Sequence, residues 1–379
     1  MSDLRSTSDG WDPARAREKF KLGLSEEEIR TIRAKFPETA SDGKGGLFAD
    51  GVFEGGGVLG LAFLGAARCC AEVGIRWKGL AGTSAGAITA SLLAAVEKND
   101  DLERLFAGLD FQTFIGQKMS PFIIDFDPSD NLDHPLWMLV RLVMTCQLGE
   151  YSSDPFRDWL DVALKVGGVT SFSDIGKGDP EHQLKVVVSN ISRGQMLVLP
   201  GSPPDPERSG FPVAEAVRLS MSIPFFFAPG RLDGDYIVDG GILSNYPIWI
   251  YDQRHPDMMP RWPTFGFRLD DSREDAQPIP IHNAPDILKA MFKTMMYAHD
   301  RHYMDISKTT RTINVDITNS GVTVTQFGLT SDQKDDLFRR GYECTKRYLL
   351  EQWNWGTHLW TRGYALKSSS AIAVGHTVS

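Results

Sequence analysis

From residue 47 onward the chain alternates short apolar runs that end in glycine with stretches of helical periodicity. Leu47 to Phe53 predicts a strand that closes at Glu54-Gly55-Gly56-Gly57, and Leu59 to Val73 predicts an apolar helix. Trp77 to Ala81 predicts a second strand and Ala85 to Val96 a second helix. Strands and helices at this spacing imply βαβ units and a mainly parallel sheet. Before this region, Pro13 to Phe36 predicts one charged helix stopped by Pro37, followed by the loop Glu38 to Gly46. The middle third predicts helices at His134 to Leu148 and Asp154 to Val166, the latter capped by Ser153 or Asp154. Strands return at Leu184 to Ser189, Gln195 to Leu199, Ile237-Val238, Thr264 to Leu269 and Thr312 to Ile317. Helices are predicted at Pro212 to Ser220, about Pro285 to Ile306, and Ser331 to Gln352. The resulting division is a charged helix and linker at 1–46, an α/β unit at 47–310, and a strand, helix and polar tail at 311–379 packed against it.

Composition narrows the functional class. The 379 residues carry 40 Lys+Arg and 49 Asp+Glu, a net charge of −9, with 42% hydrophobic and 23% charged residues. That describes an ordinary globular chain, and its acidity argues against a general nucleic-acid binder, which needs a cationic face to displace counterions. The four cysteines (Cys69, Cys70, Cys146, Cys344) show no C-x-x-C spacing, so they read as thiols in a reducing compartment. No signal peptide opens the chain, and the most apolar stretch, Leu136 to Met144, is too short to span a bilayer and carries Arg141. The expectation is a soluble, cytoplasmic protein, with peripheral membrane association left open.

Two glycine-bearing motifs carry the chemistry. Gly82-Thr83-Ser84-Ala85-Gly86 matches G-x-S-x-G between a predicted strand and a predicted helix, the setting of a nucleophile elbow. Ser84 would stand at a helix N-terminus, where backbone N–H groups favour developing negative charge; the alternative is a plain N-cap. Gly55-Gly56-Gly57-Val58-Leu59-Gly60 satisfies G-x-G-x-x-G, but the second strand ends at Ala81-Gly82 with no carboxylate for a dinucleotide ribose. An anion-binding glycine loop is the better reading, serving as an oxyanion hole beside Ser84. All eight histidines lie beyond Ser84 (His134, His182, His255, His282, His299, His302, His358, His376), and none sits in a glycine-flanked turn after an apolar strand. Asp239-Gly240-Gly241, by contrast, follows Tyr236-Ile237-Val238 at a strand end.

The order G-G-G-x-x-G, then G-T-S-A-G, then D-G-G resembles the patatin-like phospholipases over roughly residues 48 to 270. Arg218 to Phe227 (RLSMSIPFFF) and Val238 to Pro247 (VDGGILSNYP) strengthen the resemblance. It implies a three-layer α/β/α fold around a central, mainly parallel sheet. It also implies a Ser-Asp dyad without histidine: Ser84 as nucleophile, Asp239 as proton acceptor, and Gly55, Gly56 and Gly57 as oxyanion donors. Gly60, Gly82, Gly86, Gly240 and Gly241 complete the motifs. The family usually has Arg or Lys where this chain has Leu59, so no charge is contributed there. Neither cofactor nor metal is implied; Asp270 to Asp275, though rich in carboxylates, reads as a solvated loop. The substrate would be a fatty-acyl ester of a lipid or membrane surface, with Leu136 to Val140 and Phe225-Phe226-Phe227 as candidate acyl-binding surfaces or simply core. A regulatory partner or self-association through the terminal segments stays open. The alternatives are a His-dependent α/β-hydrolase esterase and a silent lipid- or nucleotide-binding module.

Overall fold

The computed structural model describes residues 11–96, 98–108, 149–201, 206–252, 259–271, 310–324 and 326–362, together with positions 281, 290, 294 and 364. In chain order the described elements begin with α1 (Pro13–Phe20), α2 (Glu26–Arg33), β1 (Leu47–Phe53), α3 (Ala62–Val73), β2 (Ile75–Thr83), α4 (Ala85–Ala95) and α5 (Asn99–Ala107). Next come β3 (Gly149–Tyr151), α6 (Asp154–Lys165), β4 (Gln183–Asn190), β5 (Gln195–Leu199), α7 (Val213–Ser220), β6 (Phe225–Phe227), β7 (Gly230–Leu232) and β8 (Asp235–Asp239). The chain continues through β9 (Thr264–Asp270), β10 (Thr312–Asp316), α8 (Ser331–Arg347) and α9 (Trp355–Thr361).

The central sheet runs β10-β9-β1-β2-β4-β8-β7, with β5 paired to β4, and helices cover both its sides. Neighbours from β10 to β4 are parallel, whereas β8 and β5 pair with β4 antiparallel. The strands read as nearly unbroken apolar runs because a sheet covered on both faces offers no wet side. Alternate residues accordingly enter different apolar clusters. Phe53 and Leu80 join the larger one, while Val52 and Ala81 pack with Tyr246 and Ile248. The expected three-layer α/β/α architecture is thus the one the chain adopts.

Several elements depart from the sequence reading. The helix expected over 13–36 is two helices, because Lys21 turns left-handed (φ 52°) and Ser25 starts α2 with a capping box to Glu28. A 3₁₀ turn at Gly57–Leu61 precedes α3, so the helix expected from Leu59 begins at Ala62. Thr330, one residue earlier than expected, caps α8, which ends at Arg347 and continues as a π turn to Gln352. Strands β3, β6 and β7 and helix α9 were not foreseen. The helices expected at 134–148 and about 285–306 lie outside the described residues, as do most of the acidic loop and the run 136–144.

Trp11, Ala16 and Ile32 share one apolar cluster with the strands and with Leu337, Phe338 and Trp353. The indole of Trp11 donates to Asp335 at 2.8 Å, and its ring meets Phe338 edge-on, which fixes the N-terminal helices to α8. No described helix is long and apolar enough to cross a membrane.

Candidate active site

Strand β2 and helix α4 are joined by a single residue, Ser84, whose backbone sits at φ 51° and ψ −121°. A non-glycine residue there is strained by about 1–3 kcal/mol, and such strain persists where surrounding structure enforces it. The flanking glycines show what lets the chain turn so tightly here. A Cβ at Gly82 would collide with the Gly86 carbonyl, and one at Gly86 with the Phe53 carbonyl oxygen, so the turn closes only with both side chains absent. The Ser84 hydroxyl makes no capping bond to α4, which removes the N-cap reading. Its N–H donates instead to Ser220 Oγ at 2.9 Å, and the residue is 6% exposed.

Asp239 ends β8 and is 2% exposed. Its N–H donates to the Ser222 carbonyl at 2.9 Å, and its Oδ1 accepts the Gly241 N–H at 2.7 Å. Burial pushes the carboxyl up to about 6, against the opposing pull of the Ser84 hydroxyl and the Gly241 N–H. The Ser84 hydroxyl bears on this carboxylate, and Asp239 Oδ2 is buried with acceptor capacity in hand. The two sequence motifs therefore meet at one point of the sheet edge.

The glycine loop stands beside them. A Cβ built on Gly55 would lie 3.3 Å from Ser84 Cβ, and one on Gly60 would lie 2.9 Å from Ala85 Cβ. The Gly55 N–H is committed to the Asn245 carbonyl at 3.0 Å, and Asn245 Nδ2 returns a bond to the Gly55 carbonyl at 3.2 Å. Of the three glycines expected to supply oxyanion donors, Gly55 thus spends its N–H inside the fold. The N–H groups of Gly56 and Gly57 have no partner among the described residues. Gly57 is left-handed (φ +55°), and Val58 N–H donates to the Val324 carbonyl at 3.1 Å, which ties the loop to the segment before α8. Leu59 is buried in the core, so no side-chain charge enters from that position. Gly240 lets the turn after Asp239 lie against the Val187 carbonyl.

Other singled-out residues fall elsewhere. The His182 ring nitrogens lie 3.1 and 3.0 Å from the carbonyls of Trp77 and Ala94. His358 is buried in α9, with Nε2 accepting the Thr264 N–H at 3.4 Å, and burial holds its pKa well below the usual histidine value. Neither is hydrogen-bonded to Ser84 or Asp239; the other six histidines are outside the described residues. Phe227 is buried, and Phe226 stacks on Phe327 at 5.4 Å, so these rings belong at least in part to packing. Cys69 and Cys70 are buried thiols. Among the described residues no group of three His, Cys, Asp or Glu could hold a metal ion. The sequence reading gave Ser220 and Asn245 no role, although both lie in the segments that carried the family resemblance.

The family model described as patatin-like phospholipase matches residues 51–252. An uncharacterized protein of Bacillus subtilis (strain 168), YqhO, is 34% identical over 318 residues, covering 82% of this chain and 100% of its own length. An uncharacterized protein of Acanthamoeba polyphaga mimivirus, R571, is 24% identical over 303 residues, covering 78% of this chain and 92% of its own. Among solved structures, VipD from Legionella pneumophila is similar at 17% identity over 82% of this chain and 67% of that one, with a TM-score of 0.46. The family match spans both Ser84 and Asp239, and the chain belongs to the patatin-like phospholipase family.

Proposed function

We propose that this chain is a lipid acyl hydrolase of the phospholipase A or lysophospholipase type, working through Ser84 and Asp239. The observation that carries the reading is a strained serine beside a buried carboxylate whose pKa lies near 6. A carboxylate at its ordinary value of about 3.9 is a poor base, and raising it toward the operating pH improves proton transfer.

In the proposed reaction Ser84 Oγ attacks the ester carbonyl carbon while its proton passes to an oxygen of Asp239. The carbonyl oxygen becomes an oxyanion, which the Gly56 and Gly57 N–H groups stabilise together with the N-terminal end of α4. Collapse breaks the ester C–O bond, and the Asp239 proton leaves with the alcohol portion of the lipid. The acyl group remains on Ser84 Oγ. Asp239, again ionised, then takes a proton from water as that water attacks the acyl carbon; collapse breaks the acyl C–Oγ bond, Asp239 returns its proton to Ser84 Oγ, and the fatty acid departs. The scheme calls on no histidine, metal or cofactor. The substrate class is a lipid presented at a membrane surface, reached from the aqueous side.

The test is incubation of purified protein with vesicles of mixed phospholipids, lysophospholipids and glycerides, with products identified by mass. Free fatty acid should appear with the wild type and be absent with Ser84→Ala. No release from any of the three lipid classes would overturn the proposal.

A further inference from the structure

We infer that Ser220 is a positioning residue for the nucleophile, and that its hydroxyl sets the orientation of Ser84 relative to Asp239. The inference rests on the proposed hydrolase reading. It starts from the strain at Ser84, whose backbone would relax unless something outside the turn held it. Strand β2 ends at Thr83, so the Ser84 N–H has left the ladder and needs another acceptor. The acceptor is Ser220 Oγ, at 2.9 Å. Ser220 Oγ in turn donates to the Val187 carbonyl at 2.6 Å, and the residue is fully buried.

The destination of that relay matters. Val187 lies in β4, where the next residue, Val188, pairs directly with Asp239. The turn at Gly240 packs against the same Val187 carbonyl. One hydroxyl therefore connects the backbone of the nucleophile to the strand position beside the base. Two residues further on, the Ser222 carbonyl accepts the Asp239 N–H at 2.9 Å. The segment at the end of α7 thus holds Ser84 through the Ser220 side chain and Asp239 through the Ser222 main chain. An alanine at position 220 removes only the first hold. Without it the Ser84 N–H is buried and unpaired, and the elbow is free to rotate toward a less strained geometry that moves Oγ away from Asp239.

The experiment compares wild type, Ser220→Ala, Ser220→Thr and Ser91→Ala on a soluble acyl ester. Ser91 is a buried hydroxyl within α4 that bonds the Ile88 carbonyl at 2.9 Å, and reports the generic effect of losing such a group. Ser220→Ala should lower kcat by about 10- to 100-fold with KM within about twofold, the scale of a small misplacement of a reacting group. Its rate of Ser84 labelling by an organophosphonate should fall in parallel, while Tm falls no further than in Ser91→Ala. Ser220→Thr, which keeps the hydroxyl, should recover most of the lost kcat. A folded Ser220→Ala protein with kcat within threefold of wild type would overturn the inference, as would matched losses in Ser91→Ala. A wild type that neither turns over ester nor takes up phonate label at Ser84 would instead sink the hydrolase reading itself.

Discussion

At the scale of single residues, Asp239 couples activity and stability in opposite directions. Its carboxyl titrates near 6 in the folded chain because burial disfavours the charged form. As the proposed base it must be ionised, so kcat on a soluble ester should rise as pH increases through about 6 and then level off. The stability contribution has the reverse sign. A folded pKa raised above the ordinary aspartate value of 3.8 means that the native state holds this proton more tightly than the unfolded chain. That contribution is fully present below about 3.8 and lost as pH rises through about 6, a cost approaching about 3 kcal/mol at neutral pH. Asp239→Asn keeps an oxygen for the Gly241 N–H and removes the buried charge. Its Tm at pH 8 should therefore exceed that of wild type, with the difference shrinking toward pH 4. Equal Tm values across that range would show that the carboxyl is not desolvated.

At the scale of elements, the glycine loop separates two kinds of constraint. Gly56 has an extended φ of −171°, and a Cβ there would meet only the tip of the Leu269 side chain, which can swing aside. Gly57 is left-handed, and its Cβ would collide with the Val324 backbone. Gly57→Ala should accordingly lower kcat by about 10²-fold or more, the scale of a lost oxyanion donor, with Gly56→Ala the milder of the two. Steady-state kinetics on both variants would check the order; a harsher Gly56→Ala would move the critical donor to position 56. The elbow and loop were legible in the sequence because each is a local event, glycines and a serine at fixed spacing between a strand and a helix. The break at Lys21 was passed over because the charged, helix-favouring composition runs on across it, although Gly23 and the Ser25-x-x-Glu28 capping box mark it. The three-residue pairing of β3 with β6, which joins Gly149 to Phe225 across the chain, was not legible.

At the scale of the molecule, the active-site edge depends on segments far apart in sequence. Gly56 and Ser84 follow the parallel strands β1 and β2, whereas Asp239 ends β8, which meets β4 antiparallel; Thr83 pairs with Val187 and Asp239 with Val188, so the register on β4 brings the two together, and Ser220 at the end of α7 bonds the same Val187. Val324, before α8, meets the glycine loop, and α8 is in turn joined to α1 by Lys19, which pairs with Asp332 and Asp335, both at 2.9 Å. Sequence windows read such pieces as appendages because the contacts that fix them span three hundred residues. The proposed dyad can be read from the sequence only through family resemblance, since nothing local to Asp239 marks it as a base. Its depth of burial, which raises the pKa, is a property of the assembled sheet.

The most direct test of the account is the turnover number on a soluble acyl ester for Asp239→Asn beside single Gln variants of His255, His282, His299, His302, His358 and His376. If Asp239 takes the Ser84 proton directly, Asp239→Asn should lose about 10³-fold or more in kcat, and every histidine variant should keep at least about a tenth of wild-type activity. One folded histidine variant as inactive as Ser84→Ala would contradict the dyad and restore a Ser-Asp-His triad.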